Sequence, residues 1–368
     1  MVVGGGVMGA AAARAVAAQG RSVLVLERFQ VGHDRGSSHG DARIFRLSYH
    51  DRRYVRMAEE SLPLWRDLEA ETGTRLLRTT GGLDVGTAVA DHAAALAAEG
   101  AAYQVLSSAE VLGRFGVRVG GDALFQPDAG VVDAEGAWRA FLDAAVAHGA
   151  EVREGAVVSA LDSGPDAVTV CLANGGDLRA SVAVVTAGAW ARPLLATAGI
   201  ELDVRPTRET VAYFSVPDAS ALPTLVDWGE PAVYSLPAPG DAVKVGEHRA
   251  GPGTDPDGGA EPDAGSVRRL SAWMAERFPG VAERPHRVET CLYTNTPEAD
   301  FVLERHGAIV VGLAVQRTRL QVRAVDRPPP RGARHRLKRS RTWASMPPGD
   351  QPAGPPADPE EERCGPDA

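Results

Sequence analysis

The chain has 368 residues, 44% of them hydrophobic, and a formal net charge of −9 at pH 7. Its length allows a core large enough for two domains or lobes, and its acidic balance leaves no general electrostatic case for binding nucleic acid or an anionic membrane. No run of about 18 apolar residues occurs, so no spanning helix is expected. The three cysteines, Cys171, Cys291 and Cys364, are too few and too uneven for a disulfide framework, which makes a reducing cytoplasm the expected location.

In chain order, Met1 to Gly6 reads as the end of a β-strand entering a glycine-rich turn, with no charged n-region or cleavage site that would mark a signal peptide. Residues 7–19 are Ala-rich and helical, with Gly20 placed to end the helix. Residues 22–27, SVLVLE, form a buried strand ending in an acid, which completes a βαβ unit. The first strand is short against the about five or six residues usual for a strand, so a few residues are expected upstream of Met1. Helices are predicted over 54–72, 88–99, 108–115 and 134–148, and strands over 82–85, 167–172, 182–186, 210–215, 232–236, 242–246 and 308–312. Residues 251–265, GPGTDPDGGAEPDAG, read as a surface loop. Alternating strand and helix at the start, with a strand-rich middle, predict an α/β fold: a Rossmann-like nucleotide-binding domain with an inserted β-rich substrate domain. The expected division places 1–80, 130–205 and 285–314 in the first and 81–129 and 206–284 in the second.

Gly4-Gly5-Gly6-Val7-Met8-Gly9 fits the dinucleotide fingerprint G-x-G-x-x-G. Gly4 permits the tight turn, Gly6 lets the backbone approach a pyrophosphate, and Gly9 lets helix and strand pack closely. Val7 and Met8 open the helix, whose N-terminal N–H groups and positive dipole end suit phosphate oxygens. Glu27 follows Gly9 by 18 residues, at the end of the second strand, where a carboxylate can accept ribose hydroxyls. The acid argues against NADP and does not by itself separate NAD from FAD.

Three further segments follow in order: GSSHGDARIFR at 36–46, VVTAGAW at 184–190 and CLYTNTP at 291–297. With the fingerprint, they make residues 1 to about 314 resemble the FAD-dependent amine oxidases of the monomeric sarcosine oxidase and N-methyltryptophan oxidase group, within the wider D-amino-acid-oxidase-like superfamily. The resemblance implies an FAD-binding domain of Rossmann type, a small amino acid substrate, O2 as electron acceptor, a monomer and no metal. The implied reaction moves a hydride equivalent from the carbon beside a secondary (N-methyl) amine onto the flavin, giving an imine and H2O2.

The same resemblance implies roles for individual residues. Arg46 matches the position that holds the substrate carboxylate, a task suited to a planar fork. Arg43 matches the arginine beside the flavin ring, with His39 close by. Lys244 and His248 match a lysine assigned to oxygen activation and a histidine lining the site; four residues apart on a strand, they point to one face. Tyr234 matches a tyrosine over the substrate. Cys291 matches the cysteine bonded to the flavin, which would make the FAD covalent. Further cofactor contacts are implied at Ser38, Val158, Gly188 and Trp190. Glu247 departs from the group, which has an aromatic there, and is expected to alter substrate preference or local charge. Neighbouring flavin oxidases of cyclic imino or glycated amino acids, and a non-catalytic FAD-binding remnant, are the alternatives.

From Val315 the patterning changes. This stretch holds ten of the 26 prolines and no Phe, and 317–341 carries ten Lys or Arg against the single acid Asp326. The related enzymes continue here as Ser-Gly-His-Gly-Phe-Lys-Phe-Ala. Residues 316–323, QRTRLQVR, can be encoded CAG CGG ACA CGG CTT CAA GTT CGC, and the same bases read one position later give Ser-Gly-His-Gly-Phe-Lys-Phe. Residues 315–368 are therefore expected to be an out-of-frame, disordered tail that cannot bury enough apolar area to fold.

Overall fold

The computed structural model describes residues 1–164, 166–297 and 299–313. The tail expected at 315–368 lies outside the described residues.

Val2–Val3 lies in the middle of a six-stranded sheet, paired in parallel with Ala183–Val185 on one side and Leu24–Leu26 on the other. Glu151–Arg153 extends the sheet beyond Leu24–Leu26, Ile309–Leu313 extends it beyond Ala183–Val185, and Val302–His306 forms an antiparallel edge. The inner strands are runs of Val, Leu and Ile because both faces are covered. Val3, Leu26, Val185 and Ile309 pack in one cluster, while Val2 and Val25 meet Ala13 and Ala17 of helix Val7–Ala17 in another. The first strand is as short as expected, and the Met1 ammonium donates to the Val182 carbonyl at 2.8 Å.

A second sheet has eight strands in the order Arg287–Asn295, Arg205–Ser215, Ala242–Glu247, Val233–Ala238, Thr224–Trp228, Gly82–Gly86, Ala123–Gln126 and Gln104–Leu106. Neighbours are antiparallel except Gly82–Gly86 beside Thr224–Trp228. Ala212, Phe214, Val243 and Val245 cover one face and pack with Leu270 and Met274 of helix Ala264–Arg277. Ala42–Phe45, Gly130–Asp133 and Leu77–Thr79 form a small sheet of their own.

The expected helices appear as Arg52–Thr72, Val89–Glu99, Ser108–Phe115 and Ala134–Ala147. Two differences have physical reasons. Helix Ala264–Arg277 is absent from the expectation, and the loop read to 265 ends at Asp263, whose carboxylate caps the helix by accepting the Gly265 and Ser266 N–H groups. The segment 285–314 divides: Arg287–Asn295 pairs along its length with Arg205–Ser215 in the eight-stranded sheet, while Val302–His306 and Ile309–Leu313 join the six-stranded one. Glu247 points away from Lys244, three positions back on the same strand. It is buried beneath helix Ala264–Arg277, where it accepts from Arg269 Nε at 2.6 Å, Arg269 Nη2 at 2.8 Å and Ser266 Oγ at 2.7 Å. Glu247 thus anchors a helix on the face away from Lys244, and reaches the site face only as a charge that raises Glu209.

Replacing Glu247 with Ala leaves Ser266 and the half-exposed Arg269 without their acceptor. The change is expected to lower the unfolding free energy by about 2 kcal/mol, read from the urea midpoint, and to leave the order of substrate preference unchanged.

Candidate active site

The fingerprint turn follows Val3. Gly4 has φ 99°, and a Cβ there would lie 2.8 Å from the Thr186 carbonyl oxygen. A Cβ on Gly9 would lie 1.9 Å from the Gly4 oxygen, so Gly9 serves helix-to-turn packing. Thr186 Oγ1 donates to that same oxygen at 2.7 Å. The Val7 N–H, at the helix N-terminus, donates to Ser38 Oγ at 3.0 Å. Glu27 accepts the Gly5 N–H at 2.7 Å and the Phe29 N–H at 2.9 Å, with His33 Nε2 at 3.5 Å. Burial pushes its carboxyl up, but His33 and the two backbone donors more than offset this and hold it below the usual carboxylate range.

These groups border a cavity of about 340 Å³, lined by Gly4, Gly6, Met8, Glu27 and Ser38 together with Val158, Gly188 and Trp190. Val7 is core and contributes only its N–H. The loop residue Asp257 also lines the cavity, accepting from Trp190 Nε1 at 3.0 Å and Arg28 Nη1 at 3.1 Å. Backbone donors at a helix N-terminus, a Cβ-free turn and an ionised acid at the end of the next strand fit the dinucleotide half of FAD.

The second group of candidates comes together through the pleat of the eight-stranded sheet. Side chains directly opposite one another in paired strands share a face. Tyr213 and Leu236 both lie opposite Lys244, Tyr234 lies opposite Gly246, and Glu209 lies opposite Cys291. Lys244, Tyr234, Glu209 and Cys291 thus share one face, opposite the apolar one. The Tyr234 hydroxyl hydrogen-bonds that of Tyr293, and burial first of all pushes both phenols up. The His248 ring meets that of Tyr293 at a tilt, with centroids 5.9 Å apart.

The HGDAR turn meets this face. Gly40 has φ 94°, and a Cβ there would lie 3.4 Å from Lys244 Nζ and 3.5 Å from Arg43 Nη1. Arg43 donates to the carbonyls of Ala42 at 2.8 Å, Ser37 at 3.1 Å and His39 at 2.7 Å, which locks the turn. Burial, and then Arg43, push the Lys244 ammonium down to about 7. Burial, Arg43 and Lys244 push His39 down to about 4, and its buried Nε2 has no partner among the described residues. A buried, neutral imidazole nitrogen with no partner among the described residues fits a ligand atom, and so again a bound cofactor.

Arg46 stands apart. Its guanidinium lies between the rings of Tyr49 at 4.4 Å and Trp228 at 4.9 Å, donates to the Ser48 carbonyl at 2.9 Å, and faces Asp84 at 3.6 Å. Cys291 is buried, and Cys171 is a half-buried strand residue far from the fingerprint in sequence. Tyr293 lies within the CLYTNTP motif, whereas Glu209, Asp84, Trp228 and Asp257 carry no local signal: each is brought in by strand pairing or a loop crossing. Glu209 is 1% exposed, accepts from Thr207 Oγ1 at 2.5 Å and the Gly251 N–H at 2.8 Å, and burial raises its carboxyl.

Residues 1–318 match the model of a family described as FAD dependent oxidoreductase. The chain belongs to this family. Among its members, human peroxisomal sarcosine oxidase is 34% identical over 328 residues, covering 83% of each chain. The probable sarcosine oxidase of Arabidopsis thaliana is 32% identical over 343 residues, covering 85% of this chain and 82% of that one. The N-methyl-L-tryptophan oxidase of Yersinia pestis is 27% identical. The open form of NikD, an amino acid oxidase of nikkomycin biosynthesis, superposes with a TM-score of 0.79 at 30% identity, covering 88% of this chain and 90% of that chain. The resemblance drawn from the motifs therefore holds at the level of the family, as does its FAD dependence. Among the described residues no helix is long and apolar enough to cross a membrane.

Lys244 titrates near 7 when folded and near 10.5 when free, so between these values the unfolded chain binds the extra proton. The stability of the FAD oxidoreductase should thus rise with pH across that window on account of Lys244. In Lys244→Met that contribution should vanish, flattening the rise in urea midpoint from pH 7 to 10 relative to the parent; parallel curves would contradict it.

Proposed function

We propose that this chain oxidises a secondary (N-methyl) amino acid of the sarcosine or N-methyltryptophan type, releasing an imine and H2O2. FAD, when bound, supplies the hydride acceptor. The observation that carries this reading is the meeting of Lys244, Tyr234 and Cys291 on one sheet face with the Arg43 turn. The relatives' printed activities support it, since they are sarcosine and N-methyltryptophan oxidases.

In this reading the Arg46 fork receives the substrate carboxylate, with Tyr49 and Trp228 holding the guanidinium plane in place. Arg43 is tied down by three carbonyls and so offers its charge without reorganising. Lys244 lies close enough to neutrality to exchange a proton at working pH and, when charged, favours negative charge developing on oxygen. His39 stays neutral and donates or accepts at Nε2. His248 and Tyr234 border the substrate, and their neighbour Tyr293 fixes the Tyr234 hydroxyl. Cys291 is the residue we assign to a covalent bond with the cofactor; its burial on a paired strand keeps the thiol in one position. We assign the protein to the cytoplasm as a monomer, with O2 as acceptor.

With sarcosine, N-methyltryptophan and pipecolate in turn, a peroxide assay is expected to respond most strongly to one of the two N-methyl amino acids. Acid precipitation should leave flavin on the protein, and Cys291→Ser should release it. Bound flavin with no peroxide from either N-methyl substrate would end this reading.

A second reading is favoured by the end of the family match at residue 318, close to the change of patterning at Val315. In it, the chain as written holds FAD weakly because 315–368 is out of frame. A chain with the shifted frame restored is expected to retain more flavin per protein than the parent, measured by absorbance after purification; equal flavin content in both would remove the proposal.

A further inference from the structure

The proposed function gives Arg46 to the substrate carboxylate but leaves its buried counterion without a task. Asp84 lies on strand Gly82–Gly86 and is 2% exposed. It sits opposite Val226, which sits opposite Tyr234, so Asp84 shares the sheet face that carries Tyr234 and Lys244. Trp228, two residues on from Val226, shares it too. The Trp228 Nε1–H donates to Asp84 Oδ1 at 2.6 Å, Ser48 Oγ donates to Oδ2, and His92 Nδ1 lies 3.4 Å from Oδ1. Burial pushes the carboxyl up, but His92, Arg46 and Ser48 more than offset this and keep it ionised.

Arg46 is positioned by other groups: the two stacked rings and the Ser48 carbonyl. At 3.6 Å from Nη1, Asp84 makes no hydrogen bond to Arg46: it acts on the guanidinium directly as a charge, and on its geometry only through Trp228 and Ser48. Nε and Nη2 take no partner among the described residues, so one edge of the fork stays available. A carboxylate arriving at that edge meets a guanidinium already facing a permanent anion, in a region where water screens little.

We propose that Asp84 is an electrostatic counterweight that lowers the affinity of Arg46 for carboxylates and thereby sets how tightly substrate and product are held. The inference rests on the assignment of Arg46 above. The imino acid product carries the same carboxylate as the substrate, so a weakened clamp shortens the stay of product as well as substrate. Asp84 is therefore a tuning residue for binding, acting through Arg46.

The test is calorimetric titration of the full-length protein with sodium acetate, with sodium chloride at equal ionic strength as the control. Asp84→Asn keeps the shape and the acceptor for Trp228 while removing the charge. It is expected to lower the acetate Kd about tenfold, whereas a merely structural role would raise it. An unchanged or raised Kd overturns the proposal. Should Asp84→Asn fail to fold, Ser48→Ala decides: it keeps the backbone carbonyl that holds Arg46 but removes one donor that shares the Asp84 charge. It should weaken acetate binding about threefold, and unchanged or tighter binding overturns the counterweight. Arg46→Met separates the two readings. If it binds acetate as the parent does, the assignment of Arg46 fails. If it abolishes binding while Asp84→Asn leaves Kd unchanged, the counterweight alone fails.

Discussion

The pairing register of strand Arg205–Ser215 with Arg287–Asn295 and Ala242–Glu247 is the constraint on which the candidate site depends. Side chains alternate with a period of two, so a slip of one residue exchanges the two faces. Lys244 would then give way to a valine and Cys291 to Leu292. The register is held from the opposite side: Phe214, Val243, Val245, Leu270 and Met274 are buried there, and each large apolar side chain withdrawn from water contributes about 1.5–3 kcal/mol. The polar face is therefore placed by an apolar core it does not touch, with Glu247 and Arg269 fixing the helix that completes that core.

The two ends of the molecule solve opposite electrostatic problems. At the nucleotide end a single buried acid, Glu27, is kept ionised by donors from its own turn and from the glycine loop. At the sheet face two cations, Arg43 and Lys244, are crowded together. Arg43 is satisfied by backbone carbonyls, so its charge is not cancelled by a nearby acid in that turn, and it depresses both Lys244 and His39. Arg46 has the buried carboxylate of Asp84 at hand, and its surroundings are correspondingly distinct: two aromatic faces and Asp84.

Legibility followed locality. The glycine turn, the helix after it and Glu27 were readable because their chemistry sits within one βαβ unit. The group GSSHGDARIFR was readable as a motif, and its three-carbonyl lock on Arg43 explains why those residues stay together. Helix Ala264–Arg277 was not anticipated: a glycine- and proline-rich loop runs directly into it, and the capping Asp263 looks like any other loop acid. The side of the strand that Glu247 takes followed from the alternation of the pleat, three positions on from Lys244.

By itself the sequence carried the family and its FAD dependence, through short motifs that resemble those of known flavin oxidases, and it marked Arg43, Arg46 and Lys244 as candidate cations. The tertiary structure alone decided that Glu209, Asp84, Trp228 and Asp257 border these sites, and that Arg46 is caged while Arg43 is not. The reason is geometric. Cross-strand partners and loop crossings join residues 67 to 144 positions apart, and no local pattern encodes which of them will meet.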